Sequence, residues 1–154
     1  MSIRLNHTIV LSRDRQLAAE FTAGLLGLEV GSPAGMFLPV ATANGVTLDF
    51  ATVAPETISA QHYAFLVSES EFDAILGRLV AAGVRHYADP RLSEPDAINH
   101  HYGGRGTYFL DPSGHYLEII TRPYGDGDGD VGAGEGGTVG SAAVEGTPEA
   151  NPDV

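Results

Sequence analysis

Two stretches of the chain run through the same order of elements, and that internal repetition restricts the fold more than any single residue does. Residues 3–11 alternate with the period of a strand, placing Leu5, His7, Ile9 and Leu11 on one face. Ser12 then reads as the cap of a helix through residue 26, where Leu17, Phe21 and Leu25 recur at four-residue spacing and Gly27 ends the run. Three short apolar runs follow, at residues 28–31, 36–42 and 46–53, with Asn44-Gly45 marking a tight hairpin between the last two. The second half repeats that order. A strand at 62–67 leads to a helix at 70–82 that buries Phe72, Ile75, Leu76, Leu79 and Val80 and stops at Gly83. A weak strand at 84–87, a long loop at 88–103 and strands at 104–110 and 115–121 complete it, the last two joined by the turn Asp111-Pro112-Ser113-Gly114. The expected fold is α+β. Two βαβββ modules, residues 3–54 and 60–122, would form curved mixed sheets around a metal-centred cleft, all within one domain, residues 1–124.

From Gly125 the sequence changes character: nine glycines, seven acids, no base and no aromatic. Such a segment buries too little apolar surface to offset its ordering entropy, so residues 125–154 are expected to be a disordered acidic tail. The Gly-Asp run at its start lacks the Glu that an EF-hand loop needs at its twelfth position, because Gly137 stands there when Asp126 is first. The tail also carries most of the formal charge of −12; residues 1–124 hold 13 acids against eight Arg. This acidity argues against nucleic acid and anionic lipid as partners, since both begin binding through phosphate neutralisation by cations. No run approaches the ~18 apolar residues of a membrane span, and the first residues lack the pattern of a signal peptide. A cytoplasmic protein acting on a small-molecule substrate is expected.

The two halves carry matched polar residues. Asn6-His7-Thr8 opens the first and Gln61-His62-Tyr63 the second, while Leu48-Asp49-Phe50 closes the first and Leu117-Glu118-Ile119 the second. A titratable side chain in the middle of an apolar strand costs several kcal/mol if buried without a partner, so each of these needs pairing, hydrogen bonding or a metal. With no cysteine in the chain, the available strong ligands are nitrogen and oxygen donors. If the two sheets curl toward one another, His7, His62 and Glu118 meet around one divalent ion, with positions left open for substrate. Fe(II) is the leading expectation, and Mn(II), Ni(II), Zn(II) and Co(II) suit the same donors. In the loop before Arg105, His100 and His101 are candidate general acid-base groups.

The stretch at residues 106–120, GTYFLDPSGHYLEII, with Asn6-His7 and His62-Tyr63, resembles the vicinal oxygen chelate superfamily of glyoxalases, extradiol dioxygenases, fosfomycin-resistance transferases and bleomycin-resistance proteins. The resemblance spans residues 3–122 and implies metal ligation by His7, His62 and Glu118. By the same resemblance Asp49 stands where glyoxalase relatives place a fourth ligand, one methylene shorter here. Tyr108 stands where fosfomycin transferases place a substrate-contacting Tyr, and Arg105 and Arg122 are candidates to contact a substrate carboxylate or enolate. All eight basic residues are Arg, which disfavours a strongly anionic phosphonate substrate. The resemblance also implies a homodimer whose sites combine His7 of one subunit with His62 and Glu118 of the other. Three activities remain open: a dioxygenase acting on a catechol-like or other vicinal-oxygen substrate, a glyoxalase-like lyase or isomerase, and sequestration of an antibiotic without turnover. The first leads, because three protein ligands leave room for substrate and dioxygen.

Overall fold

The computed structural model describes residues 2–125, so the expectation of a disordered tail falls, from residue 126 onward, outside the described residues. The first module consists of β1 (His7–Ser12), α1 (Arg15–Leu26), β2 (Phe37–Ala41) and β3 (Thr47–Thr52). Its sheet has the order β1-β3-β2, with β1 parallel and β2 antiparallel to β3. The second module consists of β4 (His62–Leu66), α2 (Glu69–Ala81), β5 (His86–Tyr87), β6 (Gly106–Leu110) and β7 (Tyr116–Ile120), in the order β4-β7-β6-β5. Here β4 runs parallel to β7, and β6 is antiparallel to both of its neighbours. The fold is α+β with two mixed sheets, and among the described residues no helix is long and apolar enough to cross a membrane.

Four local readings are corrected. The expected strand at 28–31 shrinks to a single bridge from Val30 to Val40, because Gly31 and Pro33 leave too short an apolar run to propagate a ladder. The cap of α1 is Asp14, whose carboxylate accepts from the backbone N–H groups of Gln16 and Leu17. Ser12 instead ends β1, buried, and donates its hydroxyl to the Ala51 carbonyl. The buried face of α1 is also rotated from the Leu17 phase: Ala18, Ala19 and Ala23 pack on the first sheet, Leu25 packs into the second core, and Leu17 is 54% exposed. Small side chains let the helix sit close to the sheet, which the spacing of large residues does not reveal. On α2 the phase holds for Phe72, Ile75 and Leu79, while Val80 is exposed. Its start is fixed by a capping box between Ser68 and Glu71.

Each sheet buries one face. In the first module Val10, Leu38, Val40, Leu48 and Phe50 pack under α1. In the second, Phe109, Leu117 and Ile119 pack under α2 with Phe72, Ile75 and Leu79. Tyr63 and Phe65, on the helix side of β4, touch both cores. The Arg78 side chain on α2 donates to the Leu25 carbonyl at the end of α1 at 2.7 Å. A second link is His115, only 1% exposed, whose Nδ1 accepts from the Gln61 N–H at 3.0 Å and whose Nε2 donates to the Leu11 carbonyl at 2.7 Å. The modules therefore join through their helix-covered faces. The opposite face of each sheet is left on the outside, where Ile9, Leu11 and Leu66 are exposed.

Candidate metal centre

Register places the matched polar residues on those outside faces. Directly paired residues share a face. In the first sheet His7 pairs with Thr47 and Ile9 with Asp49, so His7 and Asp49 lie on one face, two positions apart. In the second sheet His62 pairs with Tyr116 and Ala64 with Glu118, which gives the same offset. His7 with Asp49 and His62 with Glu118 are therefore equivalent pairs, one per module.

In the second module the pair is in contact. Glu118 is 1% exposed, and its Oε2 accepts from His62 Nε2 at 2.9 Å. Its other oxygen, Oε1, accepts from the Tyr124 hydroxyl. Because a carboxylate only accepts, the Tyr124 proton is committed, and Tyr124 in turn accepts from the Tyr108 hydroxyl at 3.2 Å. The Tyr108 ring lies beside His62, with centroids 5.9 Å apart, and that of Tyr102 packs on Tyr124 at 5.1 Å. Burial, then the hydrogen bond to Tyr124 and the proximity of Glu118, push the Tyr108 phenol far above its ordinary range. Burial and the bond to Glu118 likewise raise Tyr124. Both stay protonated and act as hydrogen-bond donors rather than bases.

In the first module His7 is exposed, and its Nδ1 donates to the Asn6 side-chain oxygen at 2.8 Å. That bond fixes the tautomer and leaves the Nε2 lone pair free, which is the arrangement metal-ligating histidines use. Asp49 is partly exposed, flanked on its face by Ile9 and Pro39. The donor chemistry thus fits a divalent ion. Two imidazole nitrogens and one buried, already oriented carboxylate are nitrogen and oxygen donors of the borderline to hard kind. His7, however, does not join the other two within one chain: among the described residues, no group of three or more His, Asp or Glu converges on a point. Joining of the modules through their helix-covered faces sets the His7 face and the His62–Glu118 face apart within one chain.

Arg105 is committed elsewhere. Its guanidinium bonds Glu69 and Asp73 on α2, each at 2.6 Å, and lies 4.4 Å over the Phe72 ring. Bonding to Asp73 is the leading cause that raises its pKa. These contacts clamp the residue that precedes β6 to α2. Arg122 is exposed just after β7, its stem 3.1 Å from where a side chain on Gly104 would begin. His100 and His101 are both exposed, in a short 3-10 turn region whose Tyr102 has a left-handed φ of 55°. Tyr124 escaped the sequence reading because it follows the last strand; an aromatic residue between Pro123 and Gly125, at the edge of the apolar region, was the available signal.

The family model for the Glyoxalase/Bleomycin resistance protein/Dioxygenase superfamily matches residues 4–119. The chain belongs to this superfamily. His7, Asp49, His62, Tyr108 and Glu118 all lie within the match, and Tyr124 lies beyond it. The glutathione transferase FosA of Serratia marcescens is 33% identical over 121 residues, 75% of this chain and 78% of that protein. Among solved structures, the oxidase ChaP-H2 is 54% identical with a TM-score of 0.80, covering 82% of this chain and 99% of its own. The oxidase ChaP-H1 is 50% identical with a TM-score of 0.77, covering 80% and 99%.

Proposed function

We propose that the protein is a metal-dependent enzyme of oxidase or dioxygenase type, acting as a homodimer on a small catechol-like or other vicinal-oxygen substrate. Each site would take His7 from one subunit and His62 with Glu118 from the other. The observation that carries this reading is the pair of outside faces: one presents His7 with its Nε2 lone pair free, the other His62 with Glu118, at equivalent register. Both faces also expose large apolar side chains, Ile9 and Leu11 on one and Leu66 on the other, as surfaces awaiting a partner do. Pairing about a two-fold axis would lay the first module of each chain over the second module of the other and form two equal sites.

The ion, Fe(II) by preference and otherwise Mn(II), Ni(II), Zn(II) or Co(II), would supply Lewis-acid polarisation of two substrate oxygens and, as iron, an electron source toward dioxygen. The chain's own residues do the rest. Asn6 orients His7, and Glu118 is held on both oxygens before anything binds. Tyr108, buried beside His62, keeps its proton and can accept from a substrate hydroxyl through its free lone pair. Identity of 54% to one oxidase and 50% to another supports oxidation over the thiol transfer named for the 33% identical relative. So does charge: the chain has no Lys, and Arg105 is already paired. A glyoxalase-like lyase is the second reading, favoured by one observation, the placement of Asp49 at the register equivalent of Glu118. Oxygen uptake by Fe(II)-loaded protein with a panel of catechols and hydroxylated aromatics tests the choice. Substrate-dependent uptake, absent in His62→Ala, is expected. No uptake, with Ni(II)- or Zn(II)-dependent turnover of a thiohemiacetal that fails in Asp49→Ala, would replace the oxidase reading by the lyase one.

A further inference from the structure

Tyr124 sits outside the repeat that builds the two modules and outside the region the family model matches, yet its hydroxyl reaches the most buried carboxylate of the candidate site. It follows β7 between Pro123, whose ring fixes its own φ, and Gly125, which takes a left-handed φ of 92°. The short segment so shaped brings the ring back over the open face of the second sheet. A second element holds it there: Tyr102, from the long loop before β6, packs its ring 5.1 Å from that of Tyr124 at 41°. Tyr102 adopts a left-handed backbone at φ 55°, costly for a bulky residue, so the surrounding loop must hold it in that shape.

The directions of the hydrogen bonds matter more than their number. Glu118 has two oxygens, and the structure divides them: Oε2 to His62, Oε1 to Tyr124. Because Tyr124 spends its only proton on Oε1, its lone pair is what receives the Tyr108 hydroxyl. The result is an oriented chain from Tyr108 through Tyr124 to Glu118. A carboxylate so held offers one oxygen, not two, on the side where His62 lies.

We propose that Tyr124 is a positioning residue of the site: its hydroxyl engages Oε1 of Glu118, so that the carboxylate presents Oε2 alone toward the His62 side, and the Tyr102 ring clamps it in place. The inference rests on the metal-centre reading above. A carboxylate restricted to one donor oxygen leaves more of an ion's coordination positions for a substrate with two adjacent oxygens, and Tyr124 enforces that restriction. Partners of this kind, one bond removed from an ion, contribute about tenfold or more to affinity.

Co(II) binding to the metal-free full-length chain tests the proposal, read by calorimetry and by the visible absorption of the ion, which reports its coordination number. The arms are wild type, Tyr124→Phe, Tyr102→Ala and His62→Ala. Tyr124→Phe should weaken Co(II) binding about tenfold and shift the visible bands as the freed carboxylate engages through both oxygens, while the thermal midpoint stays near that of wild type. Tyr102→Ala should move both readouts the same way by less. Wild-type band positions and an affinity within about twofold in Tyr124→Phe, alongside loss of uptake in His62→Ala, would overturn the positioning role and leave the metal centre standing. Failure of the wild-type chain to take up Co(II), or undiminished uptake in His62→Ala, would overturn the metal centre and this proposal with it.

Discussion

His115 is the buried clasp between the modules, and His115→Ala is the substitution whose cost follows most directly from geometry. The imidazole is 1% exposed and satisfies two backbone groups, the Gln61 N–H at 3.0 Å and the Leu11 carbonyl at 2.7 Å. It also packs edge-on against Tyr63 at 5.8 Å. Truncation leaves both backbone groups without a partner, at about 1–3 kcal/mol each when water cannot reach them. Gln61 is an exposed residue, so water offsets part of its share. The expected loss is roughly 2–4 kcal/mol, seen as a lower urea midpoint with unchanged slope, or as a fall of roughly 6–12 °C in the thermal midpoint. His115→Gln, which retains a donor and an acceptor, should recover part of it. A His115→Ala variant within about 0.5 kcal/mol of wild type would show that the apolar contacts of Tyr63 and Phe65 and the Arg78 bond to Leu25 join the modules without it, and His115 would be no clasp.

Two further outcomes follow from the same contacts. Asn6→Ala removes the acceptor that fixes the His7 tautomer, and metal affinity measured by competition with a chromophoric chelator should fall about tenfold with the fold unchanged by circular dichroism. Arg105→Ala breaks the clamp to Glu69, Asp73 and the Phe72 ring, so stability should drop by about 1–2 kcal/mol in chemical denaturation while metal affinity stays at the wild-type value.

The repeat made most of the fold legible. Alternation along β1 and β4, glycines after both helices and the Asp111–Gly114 turn each carry their own local physics, and the structure keeps them all. What misled was packing that depends on a neighbour's size. The small face of α1, Ala18, Ala19 and Ala23, outcompetes the Leu17 phase because the helix lies close to its sheet, and periodicity of large residues says nothing of that distance. The matched polar positions were legible as residues but not as a place. Equivalent positions for His7 and His62, and for Asp49 and Glu118, could be seen in the chain, and register confirms the equivalence. The sequence could not tell whether the modules join by their open or their helix-covered faces. That depends on contacts such as His115 to Leu11, between residues 104 apart. Arg105 shows the same limit on a smaller scale: its partners Glu69 and Asp73 are four residues apart on an outward face of α2, and only the packing of β6 under that helix brings them to it.

If each metal site is shared between two copies of the chain, mixing two inactive variants will rebuild it. His7→Ala and His62→Ala homodimers should each bind little or no metal at high affinity. When they are unfolded together and refolded, a dimer with one chain of each kind regains one complete site, formed by the His7 of one chain with the His62 and Glu118 of the other. Random pairing makes about half of the dimers mixed, so about one quarter of the wild-type metal content per subunit should return. If the refolded mixture binds no more metal than the two variants alone, each site lies within one chain or does not exist, and the shared centre is wrong.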